Sequence, residues 1–177
     1  MKKLVVLLSA LFLSLSFAVF VGCEEENGSL LKGTATVVLD AGSGENRYTV
    51  FTVELEKAGL TSSDKGIDVL DALKEEGLYY SGTYTSAFGA YLTEIGTEVP
   101  AEEPSYEGET VQTPILKAEG NNYIALYTAD IEEGNPDPEN WGGTIEYEGT
   151  SVYYAMLGIS SLRVFDGAVY YFALSSY

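Results

Sequence analysis

Apolar and polar residues alternate with a period of two through most of this chain. Residues 34–39 are alternating and β-branched, and residues 47–55 set Tyr48, Val50 and Thr52 against Thr49, Phe51, Val53 and Leu55. Successive side chains of an extended chain point to opposite faces, so both patterns predict strands. The same rule predicts strands over 78–80, 90–95, 122–128, 144–147, 151–154, 162–165 and 168–174. Within 122–128, Tyr123, Ala125 and Tyr127 share one face, and Ile124 and Leu126 the other. Asp40 to Asn46 is read as a hairpin connection. Its glycines are followed by no Lys-Ser/Thr pair, so it lacks the chemistry of a phosphate loop.

One stretch keeps a helical period instead. Val69, Leu70 and Leu73 fall on one face of a helix, with Asp71, Lys74 and Glu75 opposite. Asp68 is placed to N-cap it, Asp71 to serve as the acid of a capping box, and Gly77 to end it in the left-handed conformation. A helix so short is not stable alone and needs a sheet against its apolar face. Two stretches rich in Glu and Pro, 96–113 and 130–143, read as long exposed loops. Together these elements predict an α+β domain, one short helix packed on a mostly antiparallel sheet.

The first 22 residues obey a different rule. Lys2 and Lys3 precede an apolar run, Leu4 to Val21, broken only by serines, as in a secretory leader. Phe20-Val21-Gly22-Cys23 resembles the lipobox of bacterial lipoproteins, with Phe20 in place of the usual Leu. The resemblance implies cleavage before Cys23, a thioether lipid on its sulfur and an extracytoplasmic, membrane-anchored protein. Glu24 to Ser29 reads as a polar tether. The expected organisation is a leader at 1–22, a lipidated Cys and acidic tether at 23–33, and a folded domain at 34–177.

Charge narrows the candidate functions. With 9 basic against 27 acidic residues the formal net charge is −18, which opposes binding to nucleic acid or to an anionic membrane surface. The membrane is expected to be met through the lipid anchor alone. The absence of His removes imidazole bases, Ser-His-Asp and Cys-His constellations and the usual zinc sites. A single Cys excludes an intrachain disulfide. The carboxylates of 130–139 match no EF-hand spacing, and Pro136 and Pro138 limit chelation, so no metal site is expected. Nothing selects a catalytic pair from the 27 acids. The expectation is a binding protein that requires no cofactor, not an enzyme.

Several short motifs fall in a familiar order: Asp68-Val-Leu-Asp-Ala-Leu73, Phe88-Gly-Ala-Tyr91 with Ile95, Tyr123-Ile-Ala-Leu-Tyr127, and Arg163-Val-Phe-Asp-Gly-Ala-Val-Tyr-Tyr-Phe172. In this order they resemble the domain family of unknown function numbered 4430, similar to the C-terminal β-domain of transcobalamin and intrinsic factor. The resemblance implies a β-grasp-like fold, a helix over a mixed sheet, used for binding, and a corrinoid (cobalamin-like) ligand. Two positions depart from the family pattern. Ile124 stands where a Trp is usual, and Ala168 replaces the second acid of the closing turn.

Fourteen tyrosines are the most unusual feature of the composition. Tyr combines a rigid apolar face with a polar tip, which suits ligand stacking and protein interfaces alike. Tyr91, Tyr123, Tyr127 and the only Trp, Trp141, are the candidate ligand-binding residues. Trp141 lies in a predicted loop, where a large aromatic has less structural reason to be. The alternative is a surface module that binds a protein or cell-wall component and has no small-molecule pocket.

Overall fold

The computed structural model describes residues 28–85, 87–102 and 107–177. Their strands form two sheets. β1 (Thr34–Asp40), β2 (Tyr48–Glu54), β6 (Asn122–Thr128), β7 (Thr144–Tyr147), β8 (Thr150–Tyr154) and β9 (Ala168–Ser176) build a six-stranded sheet in the order β2-β1-β9-β6-β8-β7. β3 (Leu78–Thr85), β4 (Gly89–Pro100) and β5 (Thr110–Lys117) form a separate antiparallel sheet. The parallel pair is β1 with β9, aligned from Ala35↔Ala168 to Asp40↔Ala173.

Alternation places the core. Ala35, Val37 and Leu39 of β1 and Tyr170 and Phe172 of β9 face one way, and pack with Leu92, Ile95 and Leu116 of the smaller sheet. The opposite face buries Val38, Val169 and Tyr171 with Tyr147 and Val152 in a smaller cluster. Helix α1 (Gly66–Ala72) adds Val69 and Leu70 to the main core, and a 3-10 turn, Leu73–Glu76, adds Leu73. Gly77 ends it at φ 86°, as expected.

The expected α+β, β-grasp-like fold is corrected: 49% of the structure is strand and 10% helical, so this is a mostly β protein of two sheets. The reason is one of size. Seven helical residues span about 10 Å, whereas six strands span about 24 Å across. The helix is too small to cover the large sheet, and the three-stranded sheet provides most of the cover. Three local expectations also shift. Lys65, not Asp68, is the N-cap, and the Asp68 carboxylate accepts the Lys65 backbone N–H at 2.8 Å from inside the first turn. The ends of the predicted loop 96–113, residues 96–100 and 110–113, are instead the arms of the β4–β5 hairpin. Residues 162–165, expected as a strand, instead follow a 3-10 turn, Ile159–Ser161, as irregular chain.

The leader, Cys23 and the tether as far as Asn27 lie outside the described residues. Just after them the chain already rests on the domain. Leu30 bridges to Thr61, and the Leu31 N–H donates to the Leu60 carbonyl at 2.9 Å.

Asp40 closes β1 with its carboxylate buried. Arg47 donates from Nε at 2.7 Å and from Nη2 at 2.6 Å, the Gly42 N–H donates at 2.8 Å, and the Tyr171 hydroxyl donates to Oδ2. Burial alone would raise this carboxyl's pKa. The hydrogen bonds from Arg47, Tyr171 and Gly42 outweigh it and hold the pKa below the ordinary value of 3.8. The stabilisation is therefore complete above the unfolded-state pKa and is lost as pH falls through the lower folded-state value. Asp40→Asn is expected to cost about 1–3 kcal/mol at neutral pH. Thermal melts over a pH series should show the gap to wild type narrowing below about pH 4. A gap constant down to strongly acid pH would refute the assignment.

Candidate functional site: an aromatic cleft where two strands part

β8 pairs with β6 only at Tyr127↔Tyr154 and Thr128↔Tyr153. One further bond, Ala155 N–H to the Leu126 carbonyl at 2.8 Å, follows before the chain turns away. It crosses to the start of β4, where the Gly158 N–H donates to the Phe88 carbonyl at 2.5 Å. Residues Asn122–Ala125 of β6 thus pair with β9 on one side and with no strand on the other, among the described residues. The wedge so opened is a cleft of about 290 Å³. β4, β6 and the 155–159 segment form its walls, and Phe172 of β9 lies at its base. A shallower groove of about 550 Å³ continues from it, sharing Tyr91, Leu92, Tyr123, Ile124 and Tyr154.

The structure brings Tyr91, Tyr123 and Trp141 to this one cleft. Tyr127 does not line it. Its ring lies behind, edge-on to Tyr154 at 5.5 Å and to Tyr171 at 6.1 Å, as a brace between cleft wall and sheet. The chain of rings runs on from Tyr171 to Tyr147 and from Tyr147 to Tyr48, with the Arg47 guanidinium over the Tyr48 face. Much of the tyrosine content is thus sheet packing rather than ligand surface.

Tyr154 is the wall that the sequence patterns did not single out. It borders both hollows and meets Trp141 edge-on at 5.5 Å. Burial first, and then the neighbouring Tyr123 phenol, push its pKa above the usual tyrosine value, so it stays neutral well into alkaline pH. Asn135 is the second such residue. Its buried side-chain amide donates to the carbonyls of Trp141 (2.5 Å) and Asp137 (3.1 Å), while its own N–H donates to the Tyr154 carbonyl at 2.7 Å. One asparagine therefore fastens the Trp141 loop to β8. The Asn135-Pro136 pair, a turn signal, was the available clue.

The acidic side chains of the same loop have another task. Asp130, Glu132 (2.9 Å) and Glu133 (3.4 Å) surround the Arg163 guanidinium, and both Glu133 carboxylate oxygens lie 3.0 Å from the Arg163 N–H. The charge run closes an ion-pair network beside the irregular 162–167 segment.

Among the described residues, no charged side chain lines either hollow. The cleft offers aromatic rings, phenol hydroxyls and methyl groups, a lining that suits ligand binding. Its outer wall depends on Gly158. A Cβ there would sit 2.8 Å from the Ala90 N and closer still to the Ala90 carbonyl oxygen, both of them backbone atoms. Gly158→Ala is therefore expected to cost about 1–3 kcal/mol by overpacking and to lift the 155–158 segment off β4. Loss of amide-exchange protection at Gly158 should report the shift, and unchanged protection would refute it.

No family model matches the chain, and no curated protein matches it in sequence.

Proposed function

We propose that this protein is a membrane-anchored, extracytoplasmic binding domain that captures a small ligand in the aromatic-lined cleft beside β6. One observation carries the reading. Thirteen large hydrophobic side chains are substantially exposed among the described residues, and five of them, Phe88, Tyr91, Trp141, Met156 and Leu157, border this single hollow. Scattered exposed apolar residues are ordinary, whereas their concentration around a concavity marks a site of interaction. The anchor rests on the lipobox resemblance at Cys23.

The family resemblance points to a corrinoid as the ligand. The cleft is at the lower end of the roughly 300–1,000 Å³ that enclose drug-sized ligands. A corrinoid would seat one edge in it and lie across the adjoining groove. A second reading, docking of a protein segment, is favoured by the unpaired flank of Asn122–Ala125, since an open strand edge is a template for another strand.

Ligand-observed NMR of the full chain in detergent, against small neutral and cationic fragments and cobinamide, tests the proposal. Saturable hits lost in Trp141→Ala are expected. An absence of hits, with extended peptides binding instead, would favour the docking reading.

A further inference from the structure

The rings of the cleft and the charge of the whole molecule together specify a ligand class. Six aromatic side chains, Phe88, Tyr91, Tyr123, Trp141, Tyr154 and Phe172, border one cavity that has no Lys or Arg in its lining among the described residues. Around it is a protein of formal net charge −18. The faces of aromatic rings are electron-rich and attract cations, most strongly where water is excluded, and quaternary ammonium groups are the ligands such cages suit. The field of a strongly acidic protein raises the local concentration of cations and repels anions.

Size agrees. A cavity of about 150 Å³ takes up benzene, and a trimethylammonium group has similar bulk. The cleft, at about 290 Å³, has room for the head and the first carbons of its tail. The lining also discriminates among cations. A primary ammonium carries three N–H donors that need acceptors when buried, and among the described residues no carboxylate lines the cleft to receive them. A quaternary ammonium has no N–H to satisfy. Nor does any basic side chain in either hollow match a phosphate attached to the ligand.

We infer that the cleft is an aromatic cage for a small quaternary ammonium solute of the choline type, held by the faces of Tyr91, Tyr123, Tyr154 and Trp141. This inference rests on the ligand-binding reading above and assigns the cleft a smaller ligand in place of the corrinoid.

Trp141 is the only tryptophan in the chain, so its fluorescence reports on this cleft alone. The full chain in detergent is titrated with choline, with its neutral carbon isostere dimethylbutanol, and with phosphocholine. Choline should change the emission saturably, bind about tenfold more tightly than the isostere, and weaken as salt is added. Tyr91→Leu keeps apolar bulk at a half-exposed position but removes a π face. It should weaken choline and leave dimethylbutanol unchanged, a split that a purely structural role would not produce. Phosphocholine should bind more weakly than choline, because no basic side chain in the described lining meets its phosphate. Phosphocholine binding as tightly as choline would overturn the assignment to an unphosphorylated solute. Dimethylbutanol binding as well as choline would overturn the inference while leaving the cleft a ligand site. No response to choline would also overturn it, and the fragment screen decides separately whether the cleft binds anything.

Discussion

Phe172→Ala is expected to destabilise the protein by about 3–5 kcal/mol, the usual effect of emptying a large aromatic site in a core. Phe172 is 1% exposed and sits in the middle of β9, opposite Leu39 of β1 and Leu126 of β6. It belongs to the core shared by both sheets and also borders the cleft, so its loss loosens the fold and deepens the site together. Against a total stability of about 5–15 kcal/mol, a single such change consumes a large fraction. Thermal melts should show the midpoint lowered by roughly 6–20 °C. Val50→Ala, on the exposed side of the edge strand β2, should stay within about 0.5 kcal/mol. A Phe172→Ala midpoint equal to wild type would mean that the two sheets do not pack through this residue.

The second large effect separates binding from stability. Trp141 is 47% exposed, so Trp141→Ala should change folding stability by less than about 1 kcal/mol. Aromatic anchors at the centre of a site commonly carry 2 kcal/mol or more of binding energy, and a loss of about 30-fold in affinity is expected. Tyr154→Ala should lose binding at least as severely and stability as well, because its ring also supports Tyr127 and Trp141. Tyr127→Phe serves as the control. It keeps the ring that braces Tyr154 and removes only a hydroxyl outside the cleft, so affinity should hold. Isothermal titration beside thermal melts separates the two effects. Trp141→Ala with unchanged affinity would place the ligand elsewhere.

Local patterns were legible in the sequence where packing follows chain periodicity. The buried face of α1 and the 3-10 turn that follows it, with Val69, Leu70 and Leu73, is read directly from its spacing, as are the two faces of β1 and β6. The N-terminal cap was displaced because Lys65 is not a typical capping residue, whereas Asp68, which is, acts from inside the helix. The second sheet was obscured for a different reason. Val99 and Val111 are exposed on the outer part of the β4–β5 hairpin, so no single buried face imposed alternation there. The parallel β1–β9 pairing joins residues more than 130 apart, as at Thr36↔Val169, and no local pattern encodes it.

The site was legible by residue type and obscure by geometry. Tyr91, Tyr123 and Trp141 were identifiable as aromatics on strands and in a loop, yet their meeting depends on where β8 leaves β6. That departure also decides the role of Tyr154, one of two adjacent tyrosines in β8. Tyr127 shares a strand face with Tyr123, but β8 still pairs with β6 at that point and covers it. Four residues along the strand, β8 no longer pairs with β6, and Tyr123 borders the cleft with its ring against Tyr177 at 4.8 Å.

The most direct test of the cleft as the ligand site is chemical-shift mapping of the aromatic ring resonances during the fragment screen. Saturable shifts should concentrate on Tyr91, Tyr123, Trp141 and Tyr154, with a smaller response at Tyr127 through its contact with Tyr154. Shifts confined to Phe165, which with Arg163 and Ile131 lines a separate open groove of about 590 Å³, or spread without saturation over the surface tyrosines, would contradict a binding function for the cleft.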